Sequence, residues 1–152
     1  KGIPLATALA CEYVRRGRDL PLAFNRKEAK DHGEGGSLIG APLQGRKVLI
    51  VDDVITAGTA IREALSIIRD GGGEPAGKVI ALDRQEAVNP APSRHSAAQT
   101  VPADQGLPVI AVANLSDLLA FAGGNAELSS QRERLLAYRD AYGSQASAWS
   151  PL

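Results

Sequence analysis

The sequence has no methionine, one cysteine, one tryptophan and two phenylalanines in 152 residues. A single thiol, Cys11, excludes an internal disulfide framework and any CxxC-type metal site. It fits a reducing compartment, so a cytoplasmic location is expected. No stretch approaches ~18 apolar residues free of charge, which excludes a transmembrane helix. No charge of one sign dominates, because 17 Lys+Arg face 17 Asp+Glu. Nucleic-acid affinity depends on excess positive charge and is therefore disfavoured. The chain does not open on a charged n-region followed by an apolar core, as a secretory signal does. It opens without an initiator, on Lys1-Gly2-Ile3-Pro4, and is expected to be a fragment or to lack its beginning.

What is present is ordinary globular composition, 44% hydrophobic and 22% charged. The length suits one domain, residues 1–152, that hides roughly 68–70% of its unfolded surface. Leu5, Leu9 and Tyr13, with Ala6, Ala10 and Val14, recur at helical spacing. Pro4 suits the first turn and Gly17 the stop, so residues 4–16 form a helix. Residues 20–24 read as a short strand. Residues 25–44 carry several glycines and no clear period; loops this long in a compact domain are usually functional lids or disordered. Residues 47–51 are a continuous apolar run, expected as a strand covered on both faces. Ala60, Ile61, Ala64, Leu65 and Ile68 share one helical face, which ends at Gly71-Gly72-Gly73. Residues 78–83 and 108–113 are further strands. Residues 87–106, rich in Pro, Ala and Ser, hold one helical turn near 96–101. Ser116 is expected to cap a helix over 117–122, with Asp117 at its positive end. A last helix covers 130–142, with Leu135, Leu136 and Tyr138 or Tyr142 inward, and a frayed tail follows from Gly143. Strands alternating with helices predict an α/β fold with a mainly parallel central sheet flanked by helices.

Residues 48–60, VLIVDDVITAGTA, carry the chemistry. A buried strand ends in Asp52 and Asp53, and the turn Thr56-Ala57-Gly58-Thr59 opens a helix. Ligands of open parallel sheets bind beyond the carboxyl ends of the strands. A helix start offers unpaired N–H groups and a positive dipole end, which favour phosphate. Carboxylates beside an anion need another task, such as accepting from sugar hydroxyls or helping to hold a metal. Acids next to a phosphate cradle point to a sugar phosphate. The bland alternative is an ordinary strand–turn–helix with Asp and Thr as cap residues. Adjacent aspartates on a strand point to opposite faces, so both reach one ligand only if the strand has ended. No GxxxxGK[ST] occurs, which disfavours a P-loop.

DDVITAGTA resembles the phosphoribosyl-pyrophosphate (PRPP) signature of type I phosphoribosyltransferases. FNRKEAKDHGEGG, from Phe24 to Gly36, resembles the mobile catalytic loop of the orotate phosphoribosyltransferase family. The opening KGIP and the run LDRQE, from Leu82 to Glu86, resemble segments of the same family, and the matches fall in order. The resemblance implies the type I phosphoribosyltransferase fold. It implies transfer of a 5-phosphoribosyl group from PRPP to orotate with Mg²⁺, giving orotidine 5′-monophosphate and pyrophosphate in UMP biosynthesis. Asp52 and Asp53 would hold ribose hydroxyls, and Val54, Ile55, Thr56, Ala57, Gly58, Thr59 and Ala60 would cradle the 5-phosphate. Arg26, Lys27, Lys30 and His32 would close over pyrophosphate, with Lys27 acting in the neighbouring subunit of a homodimer. Lys1 would contact PRPP, and Thr56 and Arg84 would hold orotate. Mg²⁺ would be held mainly through substrate and water, with no dedicated protein cage. The family has a further segment before the position of Lys1 that completes the pocket, so these 152 residues alone are expected to be weakly active or inactive.

Each of these residues has a plainer reading. The loop's mixed charges suit a solvated surface, Lys1 an exposed terminus, and Arg84 a surface salt bridge. Cys11 is expected in the core, His95 in a solvated loop, and Trp149 on a partner or on nothing. Two other functions stay open: a phosphoribosyltransferase for another base, and a PRPP-sensing regulator without chemistry. No membrane or nucleic-acid partner is expected.

Overall fold

A computed structural model describes residues 2–25, 38–55, 59–88 and 94–144. Helix α1 (Gly2–Arg15) begins two residues earlier than the sequence predicts. Pro4 still falls in the first turn, where its missing N–H breaks no intrahelical bond. α1 packs on an edge strand and leaves Ile3, Leu5 and Val14 exposed. Cys11 is exposed as well, contrary to the expected core position. A helix covered on one side only can bury one stripe, and Cys11 is off it.

Strands β1 (Ala23–Asn25) and β2 (Leu38–Gly40) form an antiparallel pair, Ala23 opposite Gly40. The strand expected at 20–24 is therefore shorter and shifted, and its partner lies inside the expected loop. Three residues are too few to show a period. Residues 26–37 of that loop lie outside the described residues.

The main sheet is parallel, in the order β3 (Lys47–Val54), β4 (Glu74–Asp83), β5 (Val109–Asn114). Helix α2 (Thr59–Asp70) joins β3 to β4, and α3 (Ala97–Gln105) precedes β5. The chain closes with α4 (Leu115–Gly123), a 3₁₀ turn at Ala126–Leu128, and α5 (Ser129–Tyr142). One sheet face, bearing Ile50, Ile80, Val109 and Ala111, packs on Ile61 and Leu65 of α2 and on Ala97 and Val101 of α3. The α/β class and the parallel order agree with the alternation of strand and helix in the sequence.

Several boundaries differ, each for a local reason. β3 runs three residues past the apolar stretch because Asp52 and Val54 keep their ladder partners Ile80 and Leu82. β4 starts at Glu74 rather than 78, with a register irregularity between Val48 and Leu49 that leaves Ala76 as the extra residue. α3 is longer than one turn and contains Pro102. Its start is secured by a capping box in which Ser96 Oγ accepts the Gln99 amide at 3.3 Å and Gln99 Oε1 accepts the Ser96 amide at 2.8 Å. Gly106, at φ 61°, ends it in the left-handed conformation that glycine adopts without strain. The cap of α4 is Asn114, not Ser116. Asn114 Oδ1 accepts the Asp117 amide at 3.0 Å, and Asp117 Oδ2 accepts the Asn114 amide at 2.8 Å. Asp117 is in the first turn, as expected.

On α5, Leu135, Leu136 and Tyr138 are partly buried while Tyr142 is exposed, which decides between the two tyrosines. Gly143 and Ser144 are not frayed. Gly143 bridges Glu86, and the Ser144 amide donates to the Gln85 carbonyl at 2.7 Å. His95 is exposed, as expected, although its carbonyl accepts the Val88 amide at 2.9 Å. Trp149 lies outside the described residues.

Candidate active site

The carboxyl ends of β3 and β4 lie side by side, with Val54 paired to Leu82. Asp52 and Asp53 both sit within β3, correcting the expectation that the strand ends before them. Successive strand residues point to opposite faces, so the two carboxylates leave on opposite sides. Only a ligand lying across the strand's carboxyl end, over Val54 and Ile55, can meet both.

Each carboxylate is already oriented. Asp52 Oδ1 accepts the Asp53 amide at 3.0 Å, and Asp53 Oδ1 accepts the Val54 amide at 3.0 Å. Asp52 Oδ2 takes a 3.0 Å ion pair from Lys78 Nζ, whose side chain is 3% exposed. The start of α1 crowds the same place. A Cβ on Gly2 would lie 2.6 Å from the Val51 carbonyl oxygen and 3.4 Å from Asp52 Oδ1. Only glycine lets the chain entering α1 pass this close to the aspartate.

Just past β4 the backbone turns sharply. Gln85 has φ 53°, the only positive value among described non-glycine residues. Asp83 Oδ1 steadies the turn by accepting the Gln85 amide at 2.8 Å. Gln85 Oε1 accepts from the Ser116 amide at 3.1 Å and from Ser116 Oγ at 2.8 Å, tying the turn to the start of α4. This is the role Ser116 has in place of capping. Strain of this kind persists only where surrounding contacts hold it, and it clusters at functional sites.

The turn presents Arg84. Its Nη2 pairs with Glu86 Oε2 at 2.9 Å, while its Nε is buried without a hydrogen-bond partner. A cavity of about 320 Å³, lined by Ile55, Asp83, Arg84, Glu86, Ala87, Val88 and Ala97, opens beside it. Ile55 brings the end of β3 to this cavity. Asp52 and Asp53 are not among its lining residues.

Burial holds the Asp83 carboxyl above its ordinary pKa, partly opposed by the Gln85 amide. A carboxyl whose folded pKa is raised stabilises the fold fully below the unfolded pKa, and that contribution is lost as pH rises through the folded value. Asp83→Asn keeps an oxygen for the Gln85 amide and removes the titration. Urea unfolding from pH 3 to 7 is therefore expected to show the variant gaining on the parent as pH rises. A difference independent of pH would contradict this.

Lys1, Arg26, Lys27, Lys30, His32, Thr56, Ala57 and Gly58 lie outside the described residues. Thr59 and Ala60 open α2, one residue earlier than the apolar pattern indicates. Ile55 and Arg84 share one cavity, and Asp52 and Asp53 flank the end of the adjoining strand. Lys78, Asp83, Gln85 and Glu86 carry no role in the sequence reading. LDRQE marks three of them by position, but nothing local marks Lys78, which reads as the polar start of a strand.

Residues 1–94 match the Phosphoribosyl transferase domain family. The chain is 77% identical over 143 residues to the orotate phosphoribosyltransferase of Xanthomonas campestris pv. campestris (strain B100), covering 94% of this chain and 65% of that protein. It thus spans about 65% of the length of the curated relatives it matches. The crystal structure of orotate phosphoribosyltransferase from Francisella tularensis superposes with a TM-score of 0.74 at 34% identity, over 95% of this chain and 67% of that one. The Mycobacterium tuberculosis H37Rv enzyme in complex with PRPP gives a TM-score of 0.51 at 30% identity, over 67% of this chain and 52% of that one. With more than half its length matched to the family and the fold in accord, this chain belongs to the phosphoribosyl transferase domain family.

Proposed function

We propose that this chain carries phosphoribosyl transfer from PRPP to orotate, within one phosphoribosyltransferase domain acting in the cytoplasm. A bond forms between the pyrimidine nitrogen and the anomeric carbon as the bond from that carbon to pyrophosphate breaks. The electron pair leaves with pyrophosphate. The observation that carries the choice of substrate is Arg84, whose buried Nε has no partner while Nη2 is fixed by Glu86 beside a cavity. A planar carboxylate fits that guanidinium edge. Its similarity to the orotate phosphoribosyltransferases of Xanthomonas campestris and Francisella tularensis supports the same reading.

In this reading Asp52 and Asp53 accept from the ribose hydroxyls, and residues 54–60 hold the 5-phosphate at the positive end of α2. Thr56 helps Arg84 hold orotate, and Lys1 contacts PRPP. Arg26, Lys27, Lys30 and His32 meet the departing pyrophosphate, Lys27 from the second subunit of a homodimer. Donors that reach the leaving group only on closure stabilise the transition state more than the ground state. Closure also excludes the water that would hydrolyse the activated sugar.

Among the described residues no three His, Cys, Asp or Glu side chains converge as a metal cage. With Asp52 and Asp53 given to the ribose, a Mg²⁺ ion would be held mainly through substrate oxygens and water, as is common for this ion. Bound there, the ion would neutralise charge on pyrophosphate.

A spectrophotometric assay of a polypeptide extended to the length of its relatives, with PRPP and Mg²⁺ and offering orotate, uracil, hypoxanthine and adenine in turn, tests the reading. Orotate is expected to be consumed in preference to the others. Consumption of another base in its place would sink the assignment, and binding of PRPP without turnover of any base would favour a sensor.

A further inference from the structure

We propose that Lys78 is a positioning residue for PRPP: it fixes the Asp52 carboxylate from the neighbouring strand, on the same face of the sheet, and cancels its charge. The inference rests on the phosphoribosyl-transfer reading above.

Lys78 occupies a core position. In register it lies between Ile50 of β3 and Val109 of β5, and Ile80, two residues on, faces the same way with 0% exposure. Lysine is almost never fully buried unless paired. Its desolvation is costly, and a hydrophobic residue of similar volume would serve the core at least as well. The ammonium therefore has a purpose other than packing, and it donates to Asp52 Oδ2 at 3.0 Å.

That contact completes a clamp. With Oδ1 on the Asp53 amide and Oδ2 on Lys78, the plane of the Asp52 carboxylate is fixed from two directions. An ionised carboxylate offers about four lone-pair sites. Two are occupied, and the remaining pair can take the two adjacent hydroxyls of a ribose. A carboxylate held in place before the ligand arrives spares the cost of ordering it on binding.

Charge gives the second reason. PRPP is polyanionic, and an uncompensated carboxylate beside it would repel it. The Lys78–Asp52 pair is neutral as a unit, so Asp52 can serve as an acceptor without that penalty.

The test measures PRPP and orotate dissociation constants by calorimetry in Mg²⁺ on a polypeptide extended to the length of the relatives. Lys78→Met, close in volume and uncharged, is expected to weaken PRPP about tenfold or more, as loss of a charged hydrogen bond does. Orotate affinity should change less than about twofold, because Arg84 and its cavity are untouched. In an Asp52→Ala background, Lys78→Met should cost PRPP binding less than about twofold, since the group it positions is gone. A purely structural role would weaken both ligands and would act equally in both backgrounds.

Folding is checked by circular dichroism. If Lys78→Met does not fold, Lys78→Gln, which keeps an N–H donor without charge, decides by the same ratio of PRPP to orotate loss. A folded Lys78 variant with unchanged PRPP affinity overturns the proposal alone. An unsubstituted chain that does not bind PRPP at all overturns it together with the reading on which it rests.

Discussion

Arg84→Ala is expected to lower kcat/KM for orotate by about 10²–10³-fold, the usual loss when a site built to bind a polar group forfeits it. The KM for PRPP should stay within about threefold, because the change removes contacts to one substrate only. Asp83 and Ser116 hold Gln85 at φ 53°, and that conformation aims Arg84 into the cavity at the strand ends. Glu86 fixes Nη2 at 2.9 Å, and Nε is buried without a hydrogen-bond partner beside the cavity. Arg84→Lys should recover little, since an ammonium cannot offer two parallel N–H groups to one carboxylate. Uracil, which lacks the carboxylate, gives the control: its slow turnover should hardly respond to Arg84→Ala. A variant that uses orotate as well as the parent does would leave Arg84 as the surface ion pair that charge alone predicts, and would reopen the choice of base.

Ile80→Ala carries the largest expected effect on stability, a loss of about 2–5 kcal/mol. Ile80 is 0% exposed on the middle strand of the sheet. It meets Ile61 and Leu65 of α2 and Val101 of α3 in one cluster, so the truncated side chain leaves a cavity that no single element can close. For a chain of this size the loss lowers the melting temperature by roughly 5–15 °C. Thermal unfolding with a buffer blank measures it. Ile110→Ala is the contrast, because its side chain is 53% exposed on the opposite face of the neighbouring strand. Equal losses from the two would place the core elsewhere.

The elements with a long period or a strong local signal were legible before any coordinates. α2 follows from five apolar residues on one face and a glycine stop, and the parallel sheet follows from apolar runs separated by helices. Fixed-spacing motifs were legible too. DDVITAGTA and LDRQE bracket the ends of β3 and β4, which the structure sets side by side. What failed depended on partners far along the chain. The three residues added to β3 are strand because β4 supplies their ladder, and the helix of residues 97–105 outlasts its Pro102 because Val101 and Ala97 are buried against the sheet. Cys11 reads as core by type, yet lies on the uncovered side of α1.

The sequence by itself therefore determined the α/β class, the order of the elements and the stretch that could meet a sugar phosphate. These follow from periodicity, capping and short-range spacing, which act within a few residues of backbone. Tertiary structure alone decided that a lysine 26 residues from Asp52 would reach its carboxylate, and that a serine 31 residues from Gln85 would hold the turn carrying Arg84. Parallel pairing joins segments with a whole helix between them, and no local pattern specifies which side chains then meet.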